Sequence, residues 1–104
     1  MQGICLRLYV GEVQKQDGKL LYEWLLEQAH QIGITGGTAF RAIAGYGRHG
    51  KLHEEAFFEL AGDLPVEVEF LLNEQQAERL LRLLKTLELN LFYTKTAAEY
   101  GLTG

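Results

Sequence analysis

The chain contains no serine at all, a single proline and a single cysteine. Without serine, the common hydroxyl nucleophile of acyl-transfer enzymes is missing, and nothing in the sequence poises a threonine or lysine for that work. One cysteine, Cys5, can neither close an intrachain disulfide nor supply metal-ligand spacing. It stands in an alternating apolar run, distant in sequence from any basic activator, so a buried structural thiol is expected there. No apolar run approaches the roughly 20 residues that span a bilayer, which argues against direct membrane insertion. Nor does the start, Met1-Gln2-Gly3-Ile4, resemble a secretory signal, so a cytoplasmic protein is expected. The net charge of −4 gives no broad cationic surface for nucleic acid.

One further absence is local. Gln28 through His53 contains no Asp or Glu, although the chain holds 14 acidic residues, and six of its 12 glycines fall between Gly33 and Gly50. Either this stretch is an ordinary strand and turn, or its backbone has been cleared for an anion.

The 104 residues suit one domain, here taken as 1–104, with 97–104 as a flexible tail. Such a chain buries roughly 65% of its unfolded surface, enough for a core without staples. Ile4, Leu6, Leu8 and Val10 alternate with Cys5, Arg7 and Tyr9, the period of a half-buried strand. Residues 11–18 read as a polar connection. From Lys19 the period lengthens, and Leu20, Leu21, Trp24, Leu25, Ala29 and Ile32 fall on one helical face, capped by Asp17 or a neighbour and stopped by Gly33. Thr38–Tyr46 is expected as a second strand, and Ala56–Leu60 fits a short one. Val66, Val68 and Phe70 alternate with Glu67 and Glu69 in a third, entered through Pro65.

Asn73 and Gln76 have capping-box spacing ahead of a helix burying Ala77, Leu80, Leu81, Leu84 and Leu87. Leu91–Thr96 closes the pattern. The order is βαββαβ, an α+β ferredoxin-like arrangement with two helices on one face of a four-stranded antiparallel sheet. Glu67 and Glu69 share a strand face near Arg7, where cross-strand charge pairing explains them better than acid–base chemistry.

Two chemistries fit the glycine-rich stretch. His49 and His53, with Glu54 and Glu55, could hold copper or zinc, but this spacing is weak outside a helix. Gly45-Tyr46-Gly47-Arg48-His49-Gly50-Lys51 offers three glycines and two fixed cations. Its N–H groups can approach a phosphate closely, with Arg48 as a planar fork and Lys51 as a mobile charge. A plain turn remains the alternative, because no helix follows directly.

The residues "GITGGTAFRAIAGYGRHGKLHE", Gly33 to Glu54, resemble the segment of PII signal-transduction proteins that enters the T-loop, and "DLPVEVEFLL", Asp63 to Leu72, resembles the return into their third strand. With "LRLYVGE" and "GKLLYEWLL" the likeness is closer still to a small PII-like group classed as domain of unknown function 190.

This resemblance implies a non-enzymatic homotrimer. It would bind an adenine nucleotide (ATP, ADP or AMP) between subunits and report to a partner protein such as a membrane transporter. It implies that Thr38 lies near the base, and that Gly45, Gly47 and Arg48 lie by the phosphates. His49 replaces a glutamine, and Lys51 is one place late. The sequence departs from PII proteins in two further ways. The loop has no tyrosine to be nucleotidylated, and Thr86–Leu91 stands where PII proteins carry a glycine-rich B-loop. A copper- or zinc-binding trimer resembling CutA, built on His49 and His53, is the alternative.

Overall fold

The computed structural model describes residues 1–45 and 64–104. The expected strand at Ala56–Leu60 falls outside them.

Strand β1 (Gln2–Gly11) is the centre of the molecule. Its even positions carry Leu6, Leu8 and Val10 into the core, each no more than 1% exposed. On one side it pairs antiparallel with β5 (Pro65–Leu72), from Ile4 opposite Leu72 to Gly11 opposite Pro65. On the other it pairs with β6 (Phe92–Glu99), from Gln2 opposite Glu99 to Tyr9 opposite Phe92. Strand β4 (Gly36–Arg41) adds to the free edge of β5, giving the order β4-β5-β1-β6. The pattern is the ferredoxin-like one read from hydrophobic periodicity.

The connection after β1 is more structured than a polar linker. Lys15–Gln16 (β2) and Lys19–Leu20 (β3) form a small hairpin. Its turn residues Asp17 and Gly18 both have positive φ, 54° and 77°. Two left-handed residues in succession are what a tight hairpin turn needs, and Asp-Gly is the dipeptide that supplies them. Asp17 is therefore unavailable as a helix cap. Leu20 occupies that position in an extended conformation with no side-chain cap bond. The backbone N–H of Leu21 instead donates to the Gln14 carbonyl at 2.7 Å.

Helix α1 (Leu21–Gln31) buries Leu21, Trp24, Leu25 and Ala29. It stops as expected at Gly33, whose φ of 91° is the left-handed value that favours glycine. Helix α2 (Glu74–Thr86) opens on the full capping box, Asn73 and Gln76 exchanging side-chain and backbone hydrogen bonds. It buries Ala77, Leu80 and Leu84. Leu81 is only partly buried, and Leu87 is 41% exposed because the helix has ended and Leu87 is its C-cap.

Two strand boundaries differ from expectation. The second main strand starts at Gly36 and ends at Arg41, where the Ala42 N–H donates to the Pro65 carbonyl and the chain bends away. The last strand runs on to Glu99, so Ala97–Glu99 pair with Ile4–Gln2 rather than fraying.

Both helices lie over the face carrying Leu6, Leu8, Val10, Val68 and Phe70. By strand alternation the opposite face carries Cys5, Arg7, Tyr9, Glu67 and Glu69, with Thr38 and Phe40 from β4 and Phe92, Thr94 and Thr96 from β6.

Candidate ligand site

Residues 41–42 and 64–65, on either side of the segment 46–63, meet at one end of the sheet, and three contacts fix this root. The Ala42 N–H meets the Pro65 carbonyl at 3.0 Å, and the Glu12 N–H meets the Leu64 carbonyl at 3.2 Å. Arg41 Nε lies 2.7 Å from Glu12 Oε2, joining the end of β4 to the residue after β1. Val10 and Val66 are paired, as are Val66 and Arg41, so this arginine reaches across the intervening strand to its carboxylate.

The described residues place two of the sequence-derived ligand positions. Thr38 is exposed on edge strand β4, opposite Glu69 and on the face turned from the helices. Gly45 is exposed beyond the end of that strand. The two are separated along the chain by Arg41 and the bend after it. Gly47, Arg48, His49, Lys51 and His53 lie outside the described residues. Among the described residues no group of three or more His, Cys, Asp or Glu side chains could hold a metal ion.

Residues 87–91 form the turn between α2 and β6. Glu88 there has φ of 58°, a left-handed conformation usually taken by glycine. A cleft of about 270 Å³ opens beside it, lined by Leu81, Leu89, Leu91 and Tyr93 with Lys85 and Asn90 as its polar members. Tyr9 opposite Phe92 and Gly11 opposite Pro65 place this turn at the same end of the sheet as the loop root.

Residues 3–98 match the model of a protein family, DUF190, described as "Uncharacterized ACR". The chain belongs to the DUF190 family. It is 40% identical over 80 residues to a UPF0166 protein of Aquifex aeolicus, covering 77% of this chain and 76% of that one. It is 34% identical over 76 residues to a UPF0166 protein of Methanocaldococcus jannaschii, covering 73% and 69%. Among solved structures it resembles a Thermus thermophilus protein described as PII-like, with TM-score 0.64, 18% identity and coverage of 94% and 88%. It also resembles CPII from Thiomonas intermedia, a nitrogen regulatory PII-like protein, in a form bound to ADP and bicarbonate. That likeness has TM-score 0.55, 19% identity and coverage of 94% and 89%.

Sequence reasoning missed two charged features of this DUF190 chain. Arg41 sits in the acid-free stretch, but its pairing with Glu12 depends on strand register. Lys85 immediately precedes Thr86–Leu91, and the last turn of α2 carries it to the cleft.

The open sheet face is more legible in the sequence. Arg7 Nε stands 3.4 Å from Glu67 and 3.5 Å from Glu69, the expected cross-strand pairing. Tyr9 stacks at a tilt on Phe92, ring centroids 5.6 Å apart. Cys5 is 5% exposed, and burial pushes its thiol pKa up, with the Glu69 charge adding to the effect. A thiolate is disfavoured there, which is the reverse of nucleophile activation.

Proposed function

We propose that this DUF190 chain is a non-enzymatic PII-like regulator. It binds an adenine nucleotide at the loop root, between subunits of a homotrimer, and reports occupancy to a partner protein such as a membrane transporter. The observation that carries the reading is the built root. The strand end that precedes the cationic sequence is clamped by Arg41–Glu12, at the same end of the sheet as a polar-tipped apolar cleft by the α2–β6 turn. The cleft suits a flat, largely apolar base, and Lys85 stands at its edge. Arg48 and the Gly45 and Gly47 backbone contact the phosphates, Lys51 adds charge, and Thr38 of an adjacent copy faces the base. His49 completes the phosphate contacts.

Likeness to CPII supports the nucleotide class, since solved forms of that protein hold ADP and bicarbonate, or ADP, AMP and bicarbonate. A raised Cys5 thiol and the absence of serine support a regulator over an enzyme. No helix among the described residues is long and apolar enough to cross a membrane.

Titration calorimetry with ATP, ADP, AMP and cyclic AMP tests the ligand. At least one should bind, and Arg48→Ala should weaken it about tenfold, the loss of roughly one charge-assisted phosphate contact. Absence of heat from all four at millimolar concentration would remove the nucleotide from the reading.

A further inference from the structure

The outer surface of the helical layer carries a second feature, unrelated to the loop root. Where α1 and α2 run side by side, a seam of about 330 Å³ opens between them. Gln28 of α1 and Ile32, its C-cap, line one side, and Arg79, Arg82, Leu83 and Thr86 line it from α2. These are helical neighbours at spacings of three and four, so each helix presents one continuous stripe to the seam. Ile32 and Leu83 are partly buried and form an apolar floor. Both arginines are at the rim, and no acidic side chain lines the seam.

Charge sets this seam apart from its surroundings. The chain is acidic, and two lysines on strands next to the helices are paired: Lys19 of β3 with Glu27 at 2.6 Å, and Lys95 of β6 with Glu74 at 3.0 Å. Arg79 and Arg82 form no ion pair among the described residues. Even Glu78, one helical turn before Arg82 and well spaced for a helical pair, does not reach it. Two neighbouring guanidinium groups thus keep their bidentate hydrogen-bonding capacity beside apolar surface.

We propose that the α1–α2 seam docks an acidic amphipathic helix of a partner protein. Two carboxylates one turn apart on that helix meet Arg79 and Arg82, and an apolar side chain between them rests on Ile32 and Leu83. Gln28 and Thr86 satisfy polar groups at the two ends. A helix fits better than a small anion because the site is an open seam between helices, whereas small-molecule sites bury most of their ligand. The proposal is independent of any nucleotide at the loop root.

Amide chemical shifts of the full chain, titrated with a synthetic helical peptide, provide the test. The peptide carries two glutamates one turn apart flanking a leucine. Shifts should concentrate at Gln28, Ile32, Leu83 and Thr86. Reversing the exposed charges, Arg79→Glu with Arg82→Glu, should weaken binding at least about tenfold. A peptide with lysines in place of the glutamates should bind the reversed variant and recover the loss. Circular dichroism of that variant should match the parent. The proposal is overturned if millimolar peptide shifts nothing at the seam, or if the charge swap recovers nothing. Equal binding of inorganic pyrophosphate, or of a peptide with the leucine changed to serine, would also overturn it by assigning the seam to anions in general.

Discussion

At the scale of single residues, the most demanding position in the described fold is Gly37. It lies on the inward face of edge strand β4, opposite Phe70, which is 1% exposed. A Cβ at Gly37 would stand 2.6 Å from Phe70 Cε1 and 3.0 Å from Leu26 Cδ2. The missing side chain is what lets the ring of Phe70 lie under the edge strand and lets α1 pack down on it. Gly37→Ala should therefore cost about 1–3 kcal/mol, the usual penalty for forcing extra volume into a packed core. Its neighbour Gly36 points the other way, with nothing within 4 Å of the corresponding Cβ. Gly36→Ala should change stability by no more than about 0.5 kcal/mol. Urea midpoints of the two variants decide the matter, and equal shifts would refute the packing account. Cys5 departs from that contrast, lying on the open face yet only 5% exposed. Its thiol is buried beside Glu69, and both burial and that charge raise its pKa.

At the scale of elements, legibility in the sequence follows how local each determinant is. Strand β1 and helix α2 are readable because their signals are short-range: strict alternation from Ile4 to Val10, and Asn73 with Gln76 three residues on. The end of β4 is not readable. It falls at Pro65, whose carbonyl accepts from Ala42 but which has no N–H to return the bond, a partner on another strand that leaves no mark on residues 42–45 themselves. The Asp17-Gly18 hairpin carries a local signal, but an aspartate just ahead of a helical pattern equally suits a cap. Of the ligand site, Thr38 falls on the edge strand as its sequence suggests, and Gly45 falls beyond the strand's end. The Arg41–Glu12 clamp requires the register of three strands at once.

The capping box has a consequence beyond α2. Gln76 Nε2 also donates to the Gly33 carbonyl at 3.2 Å, tying the start of α2 to the end of α1. Asn73→Ala removes the side-chain acceptor for the Gln76 N–H and should cost about 1 kcal/mol. Gln76→Ala should cost at least as much, because it removes both the reciprocal cap and the link between helices. Thermal unfolding of the two variants separates these roles. A Gln76→Ala variant clearly more stable than Asn73→Ala would mean the link to Gly33 contributes nothing.

At the scale of the whole molecule, the two sheet faces are unequal. The helices cover one, where no polar or charged side chain is buried among the described residues. The other holds Arg7 between Glu67 and Glu69, side chains about 30% exposed, together with the Tyr9–Phe92 pair and Phe40 at 50% exposure. Such a face is too apolar to be purely solvent-adapted, and its charges are already matched within the chain. Closed packing of three copies through it would bury the aromatic surface without stranding an unpaired ion. The expected solution mass by light scattering is therefore about three times the 11.8 kDa chain. Thr96 faces the same side, opposite Cys5 and exposed. Thr96→Arg should reduce the mass to that of one chain while leaving the circular dichroism unchanged. Glu23→Arg, on exposed helix surface, should leave the assembly intact. A single-chain mass for the parent protein at tens of micromolar would sink the trimer. A trimer indifferent to Thr96→Arg would show that assembly uses another surface.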